Sequence, residues 1–230
     1  VCIGDHFTRQ YDKLFKRFHE EYAKKCGYDF RVITEFMSSA KNRNIMNMSK
    51  WFLCRQEWSA DYDFIIFIDS DIIINKNTPT LHDYYNFHDK IGVVHQSQPT
   101  LEARLALRRF MGGNEITARD YYKKHTNFDI QTDHIINSGC LVFQPKKHRE
   151  YLDRLIAQFE PLISRQASHL HKDQPFFGYQ LQMDNSFYFM DMKWNALWAN
   201  NKRYFNDVIK EKITLQQFFD DNFFIHLAGK

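Results

Sequence analysis

Glycine and proline are both scarce in this chain, with 8 and 5 residues among 230. That scarcity excludes collagen-like and low-complexity proteins and leaves few long structureless tracts. Charge of one sign is lacking as well: 31 Lys and Arg face 28 Asp and Glu, for a formal charge of +3. A protein that neutralises many phosphates carries a larger excess or a basic stripe, so no nucleic-acid partner is expected. The longest apolar run, Phe64-Ile65-Ile66-Phe67-Ile68, falls far short of the roughly 20 residues of a membrane helix, so no membrane segment is expected in this chain. No signal-peptide pattern is present, although the sequence opens on Val1 rather than methionine. Cysteines number 4, at Cys2, Cys26, Cys54 and Cys140. They lack C-x-x-C spacing, which argues against zinc, and the apolar or helical settings of three of them predict free thiols. Reduced cysteines point to an intracellular compartment. The sequon Asn47-Met48-Ser49 stands alone and carries little.

What is present suits a large core: 43% hydrophobic residues and 17% aromatic ones, with 22 Phe and 12 Tyr. Residues 1–4 read as the end of a first strand. Leu14, Phe15, Phe18, Tyr22 and Cys26 recur at helical spacing over 11–26, and Gly27 follows as a stop. Residues 30–33 read as a second strand, 48–58 as another helix, and 64–68 as a strand covered on both faces. That rhythm implies a parallel sheet with right-handed crossovers. A short helix at 81–87 leads to an apolar segment at 91–94. The basic, aromatic stretch 97–134 carries predicted helices at 101–110 and 117–125 and reads as an insertion over one end of the sheet. There Tyr121 and Tyr122 either stack on a glycan or pack the insertion onto the domain. A strand at 135–143, interrupted by Asn137-Ser138-Gly139, precedes a helix at 149–163. A strand at 187–190, a loop at 193–198 and a final apolar segment at 223–227 complete the chain. No repeat and no Gly-, Pro- or Ser-rich linker divides it, so one α/β domain is expected over 1–230.

The sharpest chemical feature is Asp69-Ser70-Asp71 at the end of the apolar run. Residues i and i+2 of an extended chain point the same way, so two carboxylates converge at a strand's carboxyl edge, where open α/β sheets bind ligands. Adjacent like charges call for a compensating cation, and hard divalent ions take carboxylate oxygens. The plain alternative is an acidic turn after a strand. A second feature is the tail Phe224-Ile225-His226-Leu227-Ala228-Gly229-Lys230. A lone His after an apolar strand is by default a core residue. Beside two Asp it suits Mn²⁺, while Gly229 permits close backbone approach and Lys230 brings a phosphate-binding charge.

The hydrophobic strand ending in D-x-D, the later N-S-G segment, the D-Q pair, the W-N loop and the terminal H-x-x-G-K together resemble a GT-A fold glycosyltransferase. The resemblance runs from Val1 to Lys230 and is nearest to the retaining, metal-dependent families related to glycogenin and the bacterial galactosyltransferases. It implies a Rossmann-like, mixed, mostly parallel central sheet flanked by helices, with a nucleotide-binding half at 1–96 and an acceptor and donor-sugar half at 97–230. It also implies Mn²⁺, or Mg²⁺, held by Asp69, Asp71 and His226 against the diphosphate of a nucleotide sugar, with Gly229 and Lys230 on that diphosphate. The family pattern often continues beyond this lysine, so a partial chain is expected. By the same resemblance Gly4, Asp5, His6, Phe7 and Thr8 form a loop that cradles the nucleoside, Lys50 reaches the nucleotide and Ser70 touches the ribose. Asn137, Ser138 and Gly139 lie beside the donor sugar, Asp173 and Gln174 lie under it near the anomeric carbon, and Trp194 and Asn195 form a donor-sugar or acceptor loop. Each has a plainer reading: a solvated helix charge for Lys50, a bulge or tight turn for 137–139, a polar helix entry for Asp173, core for Trp194.

The expected partners are a nucleotide-sugar donor, UDP-linked before GDP-linked, and a glycan or glycoprotein acceptor docked on 97–134. In an inverting enzyme Asp173 would be the base, whereas a retaining one would rely on Gln174 or the leaving phosphate. The H-x-x-G-K ending favours retention. A haloacid dehalogenase-like phosphatase also places D-x-D after an apolar strand, but usually after its first strand. A binding module that recognises sugar or nucleotide without catalysis is the third reading. The thiols favour a soluble cytosolic enzyme, bacterial-like or viral-like, over one in the Golgi lumen.

Overall fold

The computed structural model describes residues 2–38, 43–84, 89–113, 116–167 and 169–228. Its strands are β1 (Ile65–Ile68), β2 (Ile72–Ile74), β3 (Ile91–His95), β4 (Ile136–Phe143), β5 (Phe187–Phe189), β6 (Ala196–Leu197) and β7 (Phe224–His226). They form a four-stranded sheet in the order β1-β4-β3-β5 and a three-stranded sheet in the order β2-β7-β6. β4 is buried along its whole length, its polar Asn137 and Ser138 included, as a strand between two partners should be. The helix Pro145–Ser164 covers it. Pro145 opens that helix where a missing N–H costs nothing, and Leu152, Leu155, Ile156, Phe159 and Ile163 turn one face into the core. Trp51 stacks on Phe177 in the same core, with ring centroids 4.2 Å apart and planes 9° apart. A second cluster, around Ile72, Cys140, Val142, Trp194 and Phe224, fills the space where the two sheets meet.

The architecture is mixed α/β, with helices flanking mixed sheets. Strand direction departs from the parallel rhythm expected from the sequence. β1–β4, β3–β4 and β2–β7 are antiparallel; β3–β5 and β6–β7 are parallel. The two segments that would have supplied parallel neighbours, 1–4 and 30–33, form no ladder among the described residues. A single bond from Cys2 N–H to the Ile33 carbonyl, at 2.8 Å, joins them. An apolar run signals burial but not which edge finds which partner.

Other boundaries moved for local reasons. The helix expected over 11–26 is two helices, Asp5–Leu14 and Lys16–Cys26, broken at Phe15 where φ is −122°. The helix expected over 48–58 resolves into Arg43–Met48 and two 3₁₀ segments, Trp51–Arg55 and Glu57–Asp61. Of the helix expected at 81–87, Leu81–Tyr84 is observed and 85–87 lie outside the described residues. β4 runs through Asn137-Ser138-Gly139 without a break, but five steps along it (137 to 142) face two along β3 (92 to 94), so the irregularity lies in that ladder. Helices Leu101–Phe110 and Ala118–Thr126 stand where expected, the second opened by a Thr117–Asp120 capping box. Tyr121 and Tyr122 are buried, so they pack this segment onto the domain. The four cysteines are free. Among the described residues no helix is long and apolar enough to cross a membrane.

Candidate active site

β1 ends where the Asp69 N–H bonds the Gly139 carbonyl at 2.8 Å, and the Ile72 N–H then turns back to the Asp69 carbonyl at 3.3 Å. Asp69, Ser70 and Asp71 therefore form the corner between the two sheets. β2 leaves that corner paired with β7, Ile72 opposite His226, and the Leu227 N–H bonds the Asp71 carbonyl at 3.0 Å. This pairing carries His226 against the corner. Its Nε2 lies 3.1 Å from Asp71 Oδ1 and 3.8 Å from Asp69 Oδ2. One ligand atom from each of the three residues falls within 4.8 Å of the others. Two carboxylates and an imidazole are a donor set that fits Mn²⁺ and accommodates Mg²⁺.

The ring of His226 approaches β4 this closely only because residue 139 is glycine. A Cβ there would sit 2.6 Å from His226 Cε1 and 2.7 Å from Nδ1. On its far side Nδ1 meets Asn195 Oδ1 at 2.8 Å. Cys2 and Ser70 line the same cavity, so the N-terminal segment lies beside this corner.

Lys50, just ahead of Trp51–Arg55, enters from below. Its Nζ is 3.5 Å from Asp69 Oδ1 and 3.7 Å from Asp173 Oδ2, and it donates to Ser138 O and Oγ at 3.2 and 3.1 Å. Burial alone would lower the Lys50 pKa, but the Asp173 and Asp69 carboxylates outweigh it and hold the ammonium above its ordinary value. Burial pushes the Asp69 carboxyl up, with Lys50 and His226 offsetting part of that. For Asp71 burial acts the same way, yet the His226 contact outweighs it and the net direction is down. Asp173 is only 4% exposed and its Oδ2 also accepts from Trp51 Nε1 at 2.8 Å.

Gln174 follows on the helix Asp173–Met183. Its Oε1 accepts from the Ser138 N–H at 3.3 Å, and its Nε2 donates to the Tyr121 hydroxyl at 2.9 Å and to Gln96 Oε1 at 3.4 Å. The structure thus gathers Asp69, Asp71, His226, Lys50, Asn137, Ser138, Gly139, Asp173 and Gln174 around one corner.

Several sequence expectations change. Lys50, expected to reach a nucleotide, has its ammonium on Asp69, Asp173 and Ser138 within the fold. Trp194 was expected on a sugar loop; it is fully buried against Phe223 and Phe224, because the 3₁₀ turn Met192–Asn195 packs into the sheet junction. Asn195, from the same expected loop, is also fully buried. Gly4 precedes a helix rather than a cradle loop: Asp5, His6, Phe7 and Thr8 form its first turn, and Thr8 Oγ1 donates to the Cys2 carbonyl at 2.8 Å. Gly229 and Lys230 lie outside the described residues. Sequence reasoning missed Gln96, whose only signal was its place directly after a buried strand, β3.

None of the curated proteins matches the chain. Among solved structures it is similar to a glycosyltransferase involved in glycosylation of the major capsid of PBCV-1, with a TM-score of 0.58 and 13% identity over 96% of this chain and 87% of that one. It is also similar to the bifunctional glycosyltransferase WbbM, with a TM-score of 0.54 and 16% identity over 85% of this chain and 33% of that one. An active-site mutant of LgtC gives a TM-score of 0.51 and 13% identity over 93% of this chain and 72% of that one. Identities this low speak for the GT-A fold alone. The model of the family described as glycosyl transferase family 8 matches residues 1–229, which sets the phosphatase reading aside. With the acidic corner, the distal histidine and that match in hand, the chain belongs to glycosyl transferase family 8 and is a glycosyltransferase of GT-A fold.

Proposed function

We propose that this glycosyltransferase moves a sugar from a nucleoside diphosphate, UDP as the expected carrier, to a hydroxyl of a glycan or glycoprotein, with a divalent cation bound and with retention at the anomeric carbon. The observation that carries the reading is the convergence of Asp69, Asp71 and His226 within 4.8 Å. Those three residues would hold Mn²⁺ or Mg²⁺, which supplies charge neutralisation for the departing diphosphate. Lys50 keeps a fixed positive charge beneath Asp69 at no cost of reorganisation during the reaction. Asp173 is a poor candidate for a base, since it is buried and holds Trp51 and Lys50. A retaining course needs no carboxylate base. The bond from the anomeric carbon to the phosphate breaks, the acceptor oxygen bonds the same face, and the acceptor proton passes to the leaving phosphate. Gln174, with its amide oriented by Ser138 and Tyr121, is the side chain proposed to face the sugar.

Gly4, Asp5, His6, Phe7, Thr8, Ser70, Gly229 and Lys230 are proposed on the nucleotide side, and 97–134 as the acceptor surface. The test is calorimetric titration of UDP and GDP with and without Mn²⁺, on the wild type and on Asp71→Ala. Cation-dependent micromolar binding of one nucleotide, lost in the variant, is the expected result. Cation-independent UDP binding would favour a module that recognises nucleotide without catalysis, and no binding of either nucleotide would overturn the proposal. Product anomers from a competent donor then decide retention.

A further inference from the structure

His226 offers a cation its Nε2 lone pair only if the ring's proton sits on Nδ1, and the surrounding hydrogen bonds decide that from the backbone outward. The Gly139 N–H bonds the Asn137 side chain at 2.8 Å. A backbone N–H can only donate, so the atom facing it is Asn137 Oδ1. That oxygen also takes a hydrogen bond from Asn195 Nδ2 at 2.5 Å. With its nitrogen turned to Asn137, Asn195 presents Oδ1 to His226 Nδ1 at 2.8 Å. An amide oxygen only accepts, so Nδ1 carries the proton and Nε2 is the atom turned toward Asp69 and Asp71.

Nothing loosens this arrangement. Asn195, Asn137 and His226 are 0%, 6% and 4% exposed, so water does not compete for their polar atoms. The backbone directly after Asn195 is held by one side chain, on either side of Ala196: Gln98 Nε2 donates to the Asn195 carbonyl at 2.9 Å, and Gln98 Oε1 accepts from the Leu197 N–H at 2.7 Å. Gly139 removes the one side-chain atom that would push the ring off this register.

We propose that Asn195, itself oriented by Asn137, is a positioning residue that keeps Nδ1 of His226 protonated and so presents Nε2 to the cation. The proposal rests on the reading of Asp69, Asp71 and His226 as a cation site. Outer partners of this kind, when removed, lower metal affinity about 10–100-fold.

The first test needs no metal and no turnover. Side-chain nitrogen NMR of ¹⁵N-histidine-labelled protein, at a pH where the ring is neutral, is expected to show His226 protonated at Nδ1 in the wild type. Asn195→Asp, which keeps an acceptor oxygen toward Nδ1 while giving up the Nδ2 donation to Asn137, is expected to retain that tautomer. Asn195→Leu, which removes it, is expected to move the proton to Nε2, where it faces Asp71. Mn²⁺ titration of the same proteins is expected to give at least tenfold weaker binding for Asn195→Leu. Protonation at Nε2 in the wild type, loss of the Nδ1 proton in Asn195→Asp, or an unchanged tautomer or Mn²⁺ affinity in Asn195→Leu would each overturn the proposal. Should Asn195→Leu fail to fold, the wild type and Asn195→Asp still decide. A wild type that binds no Mn²⁺ but shows the Nδ1 proton would overturn the cation reading while leaving the orienting role of Asn195 standing.

Discussion

Lys50 Nζ lies 3.7 Å from Asp173 Oδ2 and 3.5 Å from Asp69 Oδ1, so one buried ammonium joins the acidic corner to the helix that carries Gln174. Without it, two carboxylates lose their shared counter-charge in a poorly hydrated place. Removing one partner of a buried ion pair costs about 3–5 kcal/mol, whereas replacing both members together is often near neutral.

Lys50→Met is therefore expected to lose stability on that scale, and Lys50→Met with Asp173→Asn to recover much of it. Urea unfolding of both variants checks this. A double variant no more stable than Lys50→Met would show that the two residues are not coupled.

Trp51→Phe deletes the 2.8 Å bond to Asp173 and leaves a smaller ring in the fully buried stack on Phe177, so the loss of the bond is a lower bound on its cost. A hydrogen bond to a charged group contributes about 1.5–3 kcal/mol. A loss of at least that size is expected in denaturant unfolding, together with weaker transfer activity, because Asp173 would no longer be held against Lys50.

Gly139→Ala places a methyl group 2.9 Å from Asn137 Oδ1 as well as against the His226 ring. Overpacking of this kind costs about 1–3 kcal/mol. The ring is expected to shift away from Asp71 and Mn²⁺ affinity to fall tenfold or more. Calorimetry shows the second effect and thermal unfolding the first.

Acid sensitivity follows from His19, a buried imidazole that donates from Nε2 to the Ile72 carbonyl at 2.8 Å and accepts from the Tyr11 hydroxyl at 2.9 Å. Burial lowers its pKa from 6.5 to about 4, so the folded protein binds a proton less readily than the unfolded chain. Its contribution is complete above pH 6.5 and is lost as pH falls toward 4, at about 1.4 kcal/mol per unit. His95, lowered to about 4 chiefly by burial, acts over the same window. Unfolding free energy measured from pH 7 to pH 4 is expected to fall more steeply in the wild type than in His19→Gln.

The sequence made the acidic corner legible because Asp69 and Asp71 are covalent near-neighbours after an apolar run. They converge through the tight turn between β1 and β2 rather than by strand alternation, but their closeness along the chain needs no tertiary information. His226 stood out through its place after the last apolar segment and its fit beside two Asp, whereas Lys50 and Gln174 were nameable only through resemblance to a family, since nothing local tells a ligand from a core polar residue. What stayed hidden was pairwise. The choice of β4 as partner of β1, the break at Phe15 and the burial of Trp194 depend on which surfaces meet. Asn195 shows the point most clearly, for its neighbours on the chain suggested an exposed loop, while Asn137 and His226 gave its amide a buried task.

The pairing of β2 with β7 has a thermodynamic consequence. Because Ile72 and His226 come from distant parts of the chain, the three proposed cation ligands are together only in the folded state. A cation bound there acts as a latch on the whole molecule rather than on a loop. A ligand selective for the folded state adds about 2.7 kcal/mol at a hundredfold excess over its dissociation constant. On the proposed cation reading, resistance to heat becomes a gauge of free divalent cation.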